Sequence, residues 1–300
     1  MPISTRLFND QAITRFNRIT SDIQQTQDKI ATGKKVLKAS DDPVAAATIS
    51  FVRDQKVMLD RFATNIDRAQ SRLGLTENVM AESVNLMTRA YELGIQAKND
   101  TLDAFDRRAI SFEISQIRES MMGLANSKDA NGNYLFAGYR SNTEPFFSNE
   151  AGEVKFAGDR GVHSVQVSES LRANTGLDGA DVFMRVDIDG AVKPFFDILT
   201  TMERELQGGA INDETVSELN ACIDHFAINQ TRVGAEMNKL DYQKSAMERR
   251  SVLMDENLSG LEDADLAELV SELQSMIVSR DAAHRSFVQI GQQSLFDYIR

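Results

Sequence analysis

One cysteine, Cys222, stands in the whole sequence, so no intrachain disulfide can staple the fold. Tryptophan is absent. Basic residues are in deficit, with 33 Lys and Arg against 45 Asp and Glu, and a net charge of −12 argues against a nucleic-acid partner. No apolar run approaches the roughly 18 residues of a membrane span, which argues against membrane insertion. The opening MPISTRLFNDQ lacks the basic stretch and apolar run of a secretory signal peptide. By these absences alone the chain reads as cytosolic.

Proline is scarce too, at positions 2, 43, 145 and 194, and eight of the 17 glycines fall between Gly132 and Gly190. Both residues punctuate turns, so their distribution predicts helix, then strand, then helix again.

Ile13, Phe16, Ile23 and Ile30 open the first helical stretch, which breaks at TGKK with Gly33 as its stop. The next start lies in KASDDPVAAATIS. Asp42 is placed to accept the free N–H groups of a first turn, and Pro43 fits the first helical position. A seven-residue repeat follows. Val52, Leu59, Ile66, Leu73, Met80 and Met87 form one row, and Phe62, Ala69, Ala90 and Ala97 form its companion, interrupted by Gln55, Thr76 and Ser83. Such a repeat predicts a long helix packed beside others. A shorter helix is expected from Asp103 to Ser127, with Phe105, Ala109, Phe112, Ile117 and Leu124 as its apolar positions.

The middle is richer in turns, at Asn131-Gly132, Asn149 to Gly152 and Asp159 to Gly161, with short aromatic and β-branched runs between them. HSVQV alternates as a half-buried strand does, and DVFMRVDIDG closes the section at Gly190. From Pro194 helices return. Asn212 is a candidate cap for a helix with rows Val216, Ile223, Met237 and Leu219, Phe226, Val233, Leu240, Met247, Met254. Ser259 with Glu262 resembles a capping box before a last helix carrying Leu266, Leu269, Leu273, Met276, Ala283, Phe287 and Ile290.

The expected fold is mainly α with a small inserted antiparallel β domain, on a long antiparallel coiled-coil-like bundle built from both termini. Its segments are 1–40 and 259–300 as terminal helices, 41–130 and 194–258 as two halves of a helical shaft, and 131–193 as the β domain. Charge favours pairing the ends, since residues 1–40 carry +4 and residues 255–300 carry −6.

Catalytic and metal-binding signals are weak. Cys222 and His225 share a helical face, yet no second ligand pair stands at suitable spacing, and Cys222 falls beside an apolar row. DANGN and DIDG lack the acid that a calcium loop needs at its twelfth position. No phosphate loop, dinucleotide fingerprint or nucleophile elbow is present. The expectation is a non-enzymatic protein without catalytic residues, cofactor or metal.

The stretches ISTRLFNDQAITRFNRI, KVLKASDDPVAAATIS and AQSRLGLTENVM, followed far downstream by LSGLEDADLAELVSEL and SLFDYIR, resemble the terminal helices of the bacterial flagellin family. Within the family, SDDP with Asp41, Asp42 and Pro43 as a helix-start element, the NYLFAGYRSNTEPF region and the ending LFDYI favour the members that join hook to filament. The resemblance implies a structural subunit, exported through the flagellar type III channel and assembled outside the cell as a ring-forming homo-oligomer. That replaces the cytosolic reading. Implied partners are further copies of itself, the hook-side junction protein (hook-associated protein 1), flagellin and a flagellar export chaperone. The implied subunit contacts are Ile13, Phe16, Ile23, Ile30, Phe287, Ile290, Leu295, Phe296, Tyr298 and Ile299. A short flagellin, or a cytosolic helical scaffold or chaperone, would present the same stripes.

Overall fold

The computed structural model describes residues 2–99, 102–150 and 152–296, with the side chains of 2–6, 8 and 290–296 excepted. The chain divides into two compact units, residues 1–58 with 249–300, and residues 59–248.

The first unit holds α1 (Pro2–Thr32), the start of α2 (Pro43–Ala97), the end of α6 (Asp213–Glu262) and α7 (Leu266–Phe296). Helix α1 ends where Gly33 takes φ of 69°, a left-handed conformation that glycine adopts without a steric penalty. Asp42 then starts α2 as expected, its Oδ1 accepting the N–H groups of Val44 at 3.0 Å and Ala45 at 2.9 Å. Helix α7 runs antiparallel to α1: Phe16 meets Phe287, and the end of α1 meets the start of α7. The charge imbalance between the two ends is thus matched by their pairing.

The expected capping box at Ser259 and Glu262 is not formed. Helix α6 continues through Glu262, and the cap of α7 is Asp265, whose Oδ1 accepts the N–H groups of Ala267 at 2.9 Å and Glu268 at 3.1 Å. Ser, two residues and Glu also fits a helix interior, and here the interior wins.

In the second unit the heptad row is the core. Leu59, Ile66, Leu73, Met80 and Met87 are buried, as are Phe62, Ala69, Ala90 and Ala97, while Val52, in the first unit, is half-buried. Each full burial is worth about 1.5–3 kcal/mol. The polar interruptions do not break the helix because the hydroxyls turn back on it: Thr76 donates to the Arg72 carbonyl at 3.0 Å and Ser83 to that of Val79 at 2.7 Å.

Helix α3 (Ala104–Ala125) begins at Asp103 and buries Ile110, Ile114, Ile117 and Met121. Phe105, Ala109 and Phe112, expected on its apolar face, are exposed. Both sets obey helical spacing, and the neighbour α5 (Phe195–Gly208) selects the first.

The middle forms three antiparallel hairpins rather than one sheet: β1 (Phe146–Ser148) with β2 (Val154–Phe156), β3 (Ser164–Gln166) with β4 (Arg172–Asn174), and β5 (Val186–Ile188) with β6 (Ala191–Lys193). DVF ends the short helix α4 (Gly179–Phe183), capped by Asp178. DIDG is a turn, with Asp189 and Gly190 both at positive φ and Asp187 accepting the Gly190 N–H at 2.9 Å. The first and third hairpins share the helical core, through Phe146 and Val154 and through Val186. Phe146 and Phe183 lie 5.2 Å apart between ring centres, Phe183 lies 5.7 Å from Phe226 of α6, and Phe195 of α5 lies 5.2 Å from Phe226. One aromatic cluster therefore joins β1 and α4 to α5 and α6.

Candidate assembly interface

Among the described residues no group of three or more His, Cys, Asp or Glu side chains could hold a metal ion. Cys222 is fully buried in the core, and that burial, with Glu218 nearby, pushes its thiol up to about 12. Its helical neighbour His225 turns away from any shared site: Nε2–H donates to the Val182 carbonyl at 3.0 Å, and desolvation holds the ring below its ordinary range. Asp129 of DANGN binds Arg72 at 2.8 Å and accepts the N–H groups of Asn131 and Asn133. These groups are structural ties, and no described helix is long and apolar enough to cross a membrane.

The distinctive chemistry of the first unit is apolar surface on its helices. Along α1, Ile23 is buried and Phe16 and Ile30 are half-buried, but Ile13 stays 54 % exposed. Phe16 packs edge-on against Phe287 at 5.9 Å and His284 at 6.0 Å between ring centres. The structure therefore brings Phe16 and Phe287 together from opposite ends of the chain. Leu295 and Phe296 fall within the span of α7, but their side chains and that of Ile290, with all of Tyr298 and Ile299, lie outside the described residues.

Between the helix pairs, a polar clasp fixes the loop after α1. Lys34 Nζ reaches Glu262 at 2.7 Å and Arg53 Nη2 reaches it at 2.5 Å. The backbone adds an antiparallel tie: the Lys35 N–H donates to the Glu262 carbonyl at 2.7 Å, and the Ala264 N–H donates to that of Gly33 at 2.9 Å. Glu262 is only 8 % exposed, and its bond to Lys34, then the charge of Arg53, hold its carboxyl below the usual range against a desolvation cost. Asp41 closes the same loop by accepting the N–H groups of Lys38 at 3.0 Å and Leu37 at 3.1 Å. Those backbone bonds, Lys38 first, lower its pKa.

Asp41, Asp42 and Pro43 were legible as a helix start, whereas Lys34 and Arg53 were not, and Glu262 was read only as the end of a capping box. The available signal was a pair of lysines directly after a glycine stop and an acidic run, LEDAD, directly before the last helix.

Comparison with known proteins agrees with this architecture. Residues 3–141 match the bacterial flagellin N-terminal helical region. Over 321 aligned positions the chain is 25 % identical to flagellar hook-associated protein 3 of Salmonella typhimurium, covering 100 % of both. Flagellin of Bacillus subtilis is 23 % identical over 95 % of each chain. In three dimensions the chain is similar to hook-associated protein 3 of Legionella pneumophila, with a TM-score of 0.67 at 18 % identity, covering 71 % of this chain and 98 % of that one. Its flagellin-type N-terminal region and its end-to-end similarity to hook-associated protein 3 make this chain flagellin-like.

Proposed function

We propose that the chain is a structural subunit of the bacterial flagellum that joins hook to filament and has no catalytic role. The observation that carries this reading is the end-to-end match to a flagellar hook-associated protein 3, against shorter coverage for the flagellins. The geometry supports it from the other side. A helix pair that leaves Ile13 and neighbouring aliphatic positions in water is built to bury them against another chain.

In this reading the terminal helices supply the subunit contact: Ile13, Phe16, Ile23 and Ile30 from α1, and Phe287, Ile290, Leu295, Phe296, Tyr298 and Ile299 from the C-terminal end. Copies close into a ring, with hook-associated protein 1 on the hook side and flagellin on the other. Delivery runs through the flagellar type III channel with an export chaperone. Asp41, Asp42 and Pro43 serve by fixing where α2 starts, which sets the loop that carries Lys34 to Glu262.

A second reading, a short filament-forming flagellin, draws on the similarity to the Bacillus subtilis protein. Immunogold electron microscopy of isolated flagella, with antibody against residues 133–190, separates the two. A single band of gold where hook meets filament is the expected result. Gold along the whole filament makes the chain a flagellin, and unlabelled flagella return a cytosolic helical scaffold to first place.

A further inference from the structure

Beyond the terminal helices, the first unit carries a second apolar surface that the contact assigned above does not use. On the opening turns of α2, Val44, Phe51 and Met58 recur at every seventh position and are 78 %, 64 % and 41 % exposed. They lie on a face turned away from the buried Ile49. Large side chains at that spacing form a seam that another helix can fill. On the closing turns of α6, Val252 and Leu253 are 57 % and 59 % exposed, while Glu262 on the other face is buried.

The charges beside the two patches are opposite. Asp54 is exposed next to Phe51, and Arg249 is exposed next to Val252 and Leu253. Neither has a hydrogen-bond or ion-pair partner among the described residues, whereas their neighbours are engaged: Lys56 with Asp255, and Arg250 with Gln55 at 3.2 Å. Each patch thus lacks what the other offers, an apolar surface and a counter-charge.

We infer that the α2 patch of one copy docks on the α6 patch of the next, with Phe51 against Val252 and Leu253 and Asp54 against Arg249. The two patches differ, so the contact is head-to-tail and propagates from copy to copy instead of stopping at a dimer. A ring requires a contact of this kind. The inference rests on the flagellar reading above, and it adds a lateral contact to the one made by the terminal helices.

The test uses full-length protein expressed in cells that lack the native gene copy, with isolated flagella as the readout. Asp54→Arg and Arg249→Asp each place like charges across the contact, so each alone should lower incorporation roughly tenfold. Expressed together they should restore it, because alternating copies again set opposite charges face to face. A defect internal to each chain would not be cured by mixing. Failure of the mixture to restore incorporation, or normal incorporation of both single variants, overturns the inference.

A second measurement keeps it exposed to failure if the charged variants fold poorly. In a Cys222→Ser background, Phe51→Cys with Leu253→Cys should give a ladder beyond the dimer when flagella are oxidised with copper–phenanthroline, and each single variant should not. Flagella that contain the double variant only as monomer overturn the lateral contact while leaving the junction reading intact. A crosslink to flagellin or to the hook-side protein overturns the second copy as occupant. Absence of the unsubstituted protein from flagella overturns the junction reading, and the lateral contact falls with it.

Discussion

Lys34 meets Glu262 at 2.7 Å, and through that ion pair the loop after α1 is fastened to the corner before α7. The pair matters because Glu262 also takes Arg53 from α2 at 2.5 Å, so one carboxylate is shared by a loop and a helix that are distant from it in sequence. Removing one partner of such a largely buried group leaves the others with an unmatched charge, which costs more than the pair itself contributes.

The clasp should therefore respond to acid. Lys34 and Arg53 lower the Glu262 pKa below its ordinary value of 4.5. A lowered folded pKa means that the stabilisation is fully present above the unfolded value and is lost as pH falls through the folded one. Amide hydrogen exchange at Lys35 and Ala264, whose N–H groups make the backbone tie, reads this directly. Corrected for intrinsic exchange, their protection should fall as the pH drops below 4.5. In Glu262→Gln it should be low above that pH as well. Equal protection in both proteins at pH 6 would remove Glu262 from the clasp.

The C-terminal tip is assigned to assembly and not to the fold of the second unit. Truncation after Gln293 removes Leu295, Phe296, Tyr298 and Ile299 and leaves every core residue of residues 59–248 in place. The shortened protein should keep the near-ultraviolet signature of its phenylalanine cluster, yet fail to enter flagella. Normal entry would take the contact away from these four side chains.

Arg72 ties α2 to the inserted segment. It reaches Asp129 at 2.8 Å and the carbonyls of Tyr134 and Leu135 at 3.2 and 3.3 Å. Desolvation lowers its pKa, with Asp129 opposing the shift. Arg72→Met preserves the aliphatic stem and strips Asp129 of its counter-ion. The expected loss is about 2–3 kcal/mol by urea denaturation, in keeping with a charged hydrogen bond and the desolvated groups it leaves behind. A loss within error would mean that water replaces the guanidinium at no cost.

How much of this was legible in the sequence depends on what fixed each feature. The row from Leu59 to Met87 was legible because a helix with one buried face imposes its own period, whatever lies opposite. On α3, Ile117 was placed correctly but Phe105 and Phe112 were not, because they recur at the same seven-residue spacing as Ile110 and Ile117, and only the position of α5 decides between them. The corner was placed at Ser259 because a capping box is a local pattern, yet Asp265 with Glu268 has the same spacing six residues later. The clasp at Glu262 depends on tertiary contacts with Lys34 and Arg53, so the lysine pair and the acidic run could mark its two sides without pairing them. The terminal side chains Tyr298 and Ile299 lie outside the described residues, and their role stands as a proposal.

Cys222 separates packing from assembly. Its thiol is fully buried and pushed up to about 12, so it is neither accessible nor ionised at neutral pH. A thiol reagent should leave the native protein unmodified and react fully in denaturant, with the native rate set by opening of the core. Cys222→Ser places a hydroxyl in the same apolar cavity at a cost of about 1–3 kcal/mol. It should lower the unfolding midpoint and leave incorporation into flagella unchanged at permissive temperature. Fast labelling of the native protein would mean that the α6 core opens far more readily than its packing implies. A non-motile phenotype at full stability would mean that the thiol itself has a role in the assembled flagellum.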